Sequence, residues 1–171
     1  LPRRGFVVLP VTDRDITDVS NLQAHVGGEL AARAAANIDD AALEELSVTH
    51  DQLTDAYAAD DADRAVRLNH EFHRAINVAA DSPKLAQLMS QITRYAPESV
   101  FPTIEGWPAQ SVADHARILA ALRAHDADAA RAAMSDHLAA GATPLIEHLV
   151  NQGVARKATG CPSASAITGD R

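Results

Sequence analysis

From Thr12 to about Val150 the apolar residues of this chain recur every three or four positions. That period confines the chain to packed helices. Ala, Leu, Arg, Glu and Asp dominate the periodic stretches, and aromatic residues are few (Phe 3, Trp 1, Tyr 2), which favours an all-helical fold. At 171 residues the chain is long enough to bury a real core. The expected fold is all-α, an antiparallel bundle of about six or seven helices.

The formal net charge of −8 argues against the bulk of the chain being a nucleic-acid surface, because phosphate contacts need clustered Lys and Arg. The one basic cluster is Arg3-Arg4, followed by Gly5. A single cysteine, Cys161, rules out an internal disulfide and reads as a bystander in a reducing cytosol. No apolar run is long enough to cross a bilayer and nothing resembles a signal peptide, so the expected location is the cytoplasm.

Residues 1–11, LPRRGFVVLPV, differ in kind from the rest of the chain. RRG runs into Phe6-Val7-Val8-Leu9, a short strand closed by Pro10. Thr12 or Asp13 can cap a first helix reaching about Asn37, interrupted by Gly27-Gly28, where close packing on a neighbour is the expected reason. A second helix fits 39–59 and a third 61–80. Asp81-Ser82-Pro83 is a stop and restart, with Ser82 as cap. The fourth helix runs to about Tyr95, and 96–110, with three prolines and a glycine, is read as irregular. Helices then run from Ser111 to Ala124 and from Asp128 towards Val150, the last one kinked or divided at Gly141 and Pro144. The tail, residues 151–171, is aperiodic and expected to be disordered.

The segment LNHEFHRAINVAA places Asn69 and His73 on one stripe with Val66, Ile76 and Ala80. In the fifth helix His115 shares a face with Val112, Leu119 and Leu122. In the sixth His137 shares one with Ala130, Ala133 and Met134. Any one of these histidines is more often hydrogen-bonded to a carbonyl or carboxylate than bound to metal. Three on separate helices would need three independent partners, whereas one shared divalent ion serves all of them. Asn69 lies one turn before His73 and can join the same ion. Zinc is the expected metal, with nickel or manganese as alternatives. His25, His50, His70, His125 and His148 carry no such signal, and Glu71 points off the stripe.

The string N-x-x-F-H-x-x-I-x-x-A-A-D, Asn69 to Asp81, resembles a signature of the ligand-binding (FCD) domain of FadR-type regulators in the GntR family. So does DHARILAALRAHDADAARAAMSDHL, Asp114 to Leu138. The resemblance covers roughly residues 12–150. It implies a FadR C-terminal-domain-like helical effector-binding and dimerisation domain, with Asn69, His73, His115 and His137 as metal ligands. It also implies a small organic acid whose carboxylate completes the coordination, with Arg94 or Arg131 adding a charge-assisted contact. Residues 1–11 resemble the end of a winged helix-turn-helix, so Arg3, Arg4 and Gly5 would be a remnant of its DNA-contacting wing. The implied partners are operator DNA, through the rest of that winged domain, and a second copy of the chain. Asn69 stands where the family more often has Asp, and Gln23 and Gly27 stand about where it has Arg and Glu. The implied function is effector sensing by a transcription regulator rather than catalysis. A helical-bundle metalloenzyme and a ligand-free dimerisation module are the alternatives.

Overall fold

The computed structural model of the protein describes residues 11–95 and 98–157. The strand expected at Phe6–Leu9, the wing remnant Arg3-Arg4-Gly5 and Cys161 lie outside the described residues. The described chain is helical almost throughout, in seven α-helices. These are α1 (Asp13–Asn37), α2 (Asp40–Ala58), α3 (Ala62–Ala79), α4 (Pro83–Thr93), α5 (Trp107–Arg123), α6 (Ala127–Ala140) and α7 (Ala142–Asn151). A short 3₁₀ helix, Glu98–Thr103, links α4 to α5.

Helix boundaries reflect local chemistry. Thr12 and Asp15 form a reciprocal capping box at the start of α1. Asp39, Asp61 and Asp126 each accept a backbone N–H at the starts of α2, α3 and α6. Asp60, Asp81 and His125 end helices with left-handed backbone (φ 53°, 47° and 51°). His125 Nδ1 ties that turn to Ala35 O at 2.8 Å. Ser82 does not cap α4 with its side chain, which instead accepts a hydrogen bond from Arg33 at 3.0 Å.

Two expectations shift. α5 begins at Trp107 rather than Ser111, because Pro108 sits in the first turn, where its missing N–H costs nothing. The tail does not leave the bundle at once. Gly153 turns it back with φ 70°, Ala155 is buried, and Arg156 pairs with residues 11–13 at the start of α1. Gly141 divides α6 from α7, as the sequence suggests.

α1 runs through the middle of the bundle and touches α3, α4, α5, α6 and α7, most extensively α6. The two glycines make that approach possible. A Cβ on Gly27 would collide with Leu138, and one on Gly28 with Ser135 while pressing on the Arg131 carbonyl. The main core gathers Leu30, Ala34, Leu46, Phe72, Ile76, Ile118, Leu122 and Met134. A second cluster of Ile16, Leu145 and Leu149, with Phe101 against it, closes the end where α7 meets α1.

Candidate metal centre and adjoining cavity

The buried face of α3 is Ala65, Leu68, Phe72 and Ile76. Its centre lies one residue round from the stripe expected through Val66, Asn69 and His73. Asn69 and His73 are therefore only half-buried, at the border of that face, where they line a cavity of about 520 Å³. The cavity explains why polar residues tolerate this position: their side chains meet open space rather than methyl groups.

His115 on α5 is fully buried, and Phe72 stacks on its ring with centroids 4.2 Å apart and planes within 9°. His137 on α6 is buried beside Trp107 and stacks on His73 at 5.2 Å. One ring nitrogen from each of His73, His115 and His137 falls within 4.8 Å of the other two. His73 and His137 lie on the cavity wall, and His115 stands behind them.

The donor set fits a divalent ion. His115 Nε2 and His137 Nε2 are 3.3 Å apart. Two nitrogens at ~2.0–2.1 Å from one tetrahedral ion stand about 3.3–3.4 Å apart, so this pair already spans one edge of such a site. Hydrogen bonding alone serves the cluster poorly. One proton can bridge His115 and His137, but His115 Nδ1 then stays buried without a partner, and His73 makes no hydrogen bond among the described residues.

Electrostatics keep the rings in the ligating form. Burial pushes His73 down from 6.5 to about 3, with His137 and His70 adding to the effect. Burial, followed by His73, His137 and His50, holds His115 well below the usual imidazole range. A neutral imidazole is what a metal requires.

Asp114, which carries no signal in the apolar stripes alone, orients the third ring. Its carboxylate is 3% exposed and lies 3.3 Å from His137 Nδ1. Gln110 donates to both its oxygens at 3.0 Å, and Arg117 approaches at 3.1 Å. The hydrogen bond from His137, helped by that from Gln110 and by the nearby charges of His137 and Arg117, outweighs burial and lowers the Asp114 pKa. A carboxylate there fixes the proton of His137 on Nδ1 and turns Nε2 towards the cluster. Helical spacing does hold a trace of it: Ser111, Asp114 and Ile118 share the buried face of α5.

The two arginines part company. Arg94 lines the cavity beside Arg74. Arg131 is not among the lining residues; it bridges Glu29 at 2.8 Å and Asp128 at 2.6 Å and ties α6 to α1. His70, bland in sequence, sits exposed at the cavity edge. His50, equally bland, tilts against Phe72 and His115 and has Nε2 3.2 Å from Val112 O.

The family model of the FCD domain matches residues 18–140. The chain belongs to the FCD domain family. The matched span contains the histidine cluster and most of the cavity wall, and it upholds the resemblance carried by Asn69–Asp81 and Asp114–Leu138. Two solved structures show the same fold. Escherichia coli McbR/YncC aligns with a TM-score of 0.74 at 21% identity, over 86% of this chain and 76% of that one. Streptococcus agalactiae GntR aligns with a TM-score of 0.67 at 24% identity, over 81% of this chain and 63% of that one. The chain thus spans less than two thirds of the second protein. No curated protein matches it.

Proposed function

We propose that this FCD domain is the effector-sensing part of a GntR/FadR-type transcription regulator, binding a divalent metal and a small organic acid in its cavity. One observation carries the reading: the histidine cluster opens on a 520 Å³ cavity walled by Arg74 and Arg94, with no Asp or Glu among its described lining residues. A pocket of that size suits a small molecule, and its charge suits an anion. Asn69, one turn before His73 and on the same cavity, is the fourth ligand. A bound zinc, or nickel or manganese in its place, supplies a cationic anchor for the acid. Asp114 holds His137 in register, and Phe72 and Trp107 keep the rings in place and exclude water behind them.

The regulator acts as a cytoplasmic homodimer whose winged helix-turn-helix contacts operator DNA, and Arg3, Arg4 and Gly5 belong to its wing. Leu22 on α1, Val78 on α3, and Leu88 and Tyr95 on and after α4 are large apolar side chains left exposed, which supports a second copy covering them. Ligand binding shifts the dimer between DNA-competent and incompetent arrangements. Among the described residues no helix is long and apolar enough to cross a membrane. The domain senses rather than catalyses: Asp114, the one carboxylate at the cluster among the described residues, is engaged by His137, Gln110 and Arg117 and poorly placed to act as a base.

Metal content of the purified protein, and then thermal shift with a panel of small carboxylic acids, tests the reading. Stoichiometric metal with stabilisation by an acid, without turnover, supports the sensor. Metal-free protein indifferent to every acid overturns it.

A further inference from the structure

The α1 wall of the cavity carries polar groups that the protein itself leaves unused. Ser20 and Gln23 are 5% and 6% exposed, and both line the cavity. Neither side chain makes a hydrogen bond among the described residues, whereas Asp114 is paired with Gln110 and with His137. Ser111 Oγ and His115 Nδ1 are sealed in protein without a partner among the described residues, whereas Ser20 and Gln23 line the open cavity. They stand three residues apart on one helix and so present neighbouring groups. A buried amide and hydroxyl without partners are unfavourable unless something fills the space and bonds them.

The cavity wall combines charged, uncharged polar and apolar groups. The histidine cluster, Arg74 and Arg94 suit an anion. Ser20 and Gln23 are uncharged and offer both donors and acceptors. Met89, Phe101, Trp107, Leu138 and Leu145 supply apolar wall. A short acid such as acetate would occupy only a fraction of 520 Å³.

Resting on the carboxylate reading of this cavity, we infer that Ser20 and Gln23 form a second, uncharged recognition subsite. The effector is an organic acid with an apolar middle and, away from its carboxylate, a hydroxyl, carbonyl or amide group that hydrogen-bonds this pair. Gln23 is the specificity-determining residue. Its amide accepts from a hydroxyl or donates to a carbonyl, and an analogue lacking the group leaves the amide buried and unpaired. A site built around a hydrogen bond rejects such analogues more strongly than an apolar pocket rejects a missing methylene.

The test uses the zinc-loaded 171-residue protein and calorimetric titration with matched probes. The probes are linear alkanoates from butanoate to decanoate, each paired with its ω-hydroxy counterpart. The wild type is expected to bind the hydroxy acid of best-fitting length about tenfold or more tightly than its alkanoate partner. In Gln23→Leu that ratio should fall to about one while alkanoate affinity is kept, and Ser20→Ala should reduce it partly. If alkanoates bind but no hydroxy acid gains on its partner, the subsite is wrong while the carboxylate reading stands. A gain that survives in the Ser20→Ala/Gln23→Leu double variant also overturns it. If no acid of either series binds, the carboxylate reading falls and the subsite with it.

Discussion

His115 Nε2 and His137 Nε2 face each other at 3.3 Å, and Asp114 fixes the second ring from behind at 3.3 Å. A bare pair of imidazoles so placed has at most one proton to share. The same pair is placed to ligate, because a ring nitrogen of His73 lies within 4.8 Å of both residues' ligand nitrogens.

Loss of any one ring should therefore empty the site. His73→Ala, His115→Ala and His137→Ala are each expected to weaken zinc binding by more than ~100-fold, beyond the 10–100-fold typical of losing an outer-shell partner. Asn69→Asp adds a negative charge beside the cluster and should tighten binding. His70→Ala is the metal-neutral control. Competition titration against a zinc chelator, with circular dichroism to confirm folding, reads all five. Zinc retained by His73→Ala but lost from His70→Ala would reverse the assignment.

Asp114→Asn should weaken zinc by about 10–100-fold without unfolding the protein. The amide keeps an acceptor for His137 Nδ1 but removes the negative charge that makes the ring a better donor. An unchanged zinc affinity would reduce Asp114 to a partner of Gln110 and Arg117 alone.

Acid should destabilise the metal-free protein in two stages. His73 titrates near 6.5 unfolded but is pushed to about 3 in the fold, and His115 is lowered in the same direction. Between those limits the unfolded chain binds more protons than the folded one, so stability falls as pH drops below 6.5. The histidine contribution is full above that pH. Asp114 is lowered from 3.8, so its contribution is present above 3.8 and disappears only below it. Urea midpoints from pH 8 to pH 4 should decline from the first stage. The decline should soften in His73→Leu; a flat profile in wild type would contradict the burial of these rings as neutral groups.

Gly28→Ala should lower stability by about 1–2 kcal/mol, although alanine is the better helix former by ~1 kcal/mol. The new methyl group would strike Ser135, whose hydroxyl bonds Ala24 O at 2.9 Å, and press on the Arg131 carbonyl at 3.1 Å. α6 would have to move away from α1 to admit it. A raised melting temperature would show that α6 yields freely.

Helix content, most helix ends and the identity of the clustered histidines come from short-range regularities in the sequence. Capping residues and apolar period are local, so Thr12 announces the first helix without help from the rest of the fold, whereas Asp39, Asp61 and Asp126 show themselves as caps in the structure. His73, His115 and His137 are separable because polar groups on apolar stripes are unfavourable, and three of them call for one common partner. Other features depend on what lies opposite in space. The phase of α3 shifts by one residue because a cavity, invisible to periodicity, borders its polar edge. Asp114 needs α6 beside α5 before it meets His137, and Arg131 needs Glu29 across the α1–α6 contact before it becomes a bridge rather than a ligand contact. Ser20 and Gln23 read as ordinary polar positions on α1 until neighbouring helices enclose them. Local chemistry determines which helices form, but only packing decides which of their polar groups find partners and which are left facing open space.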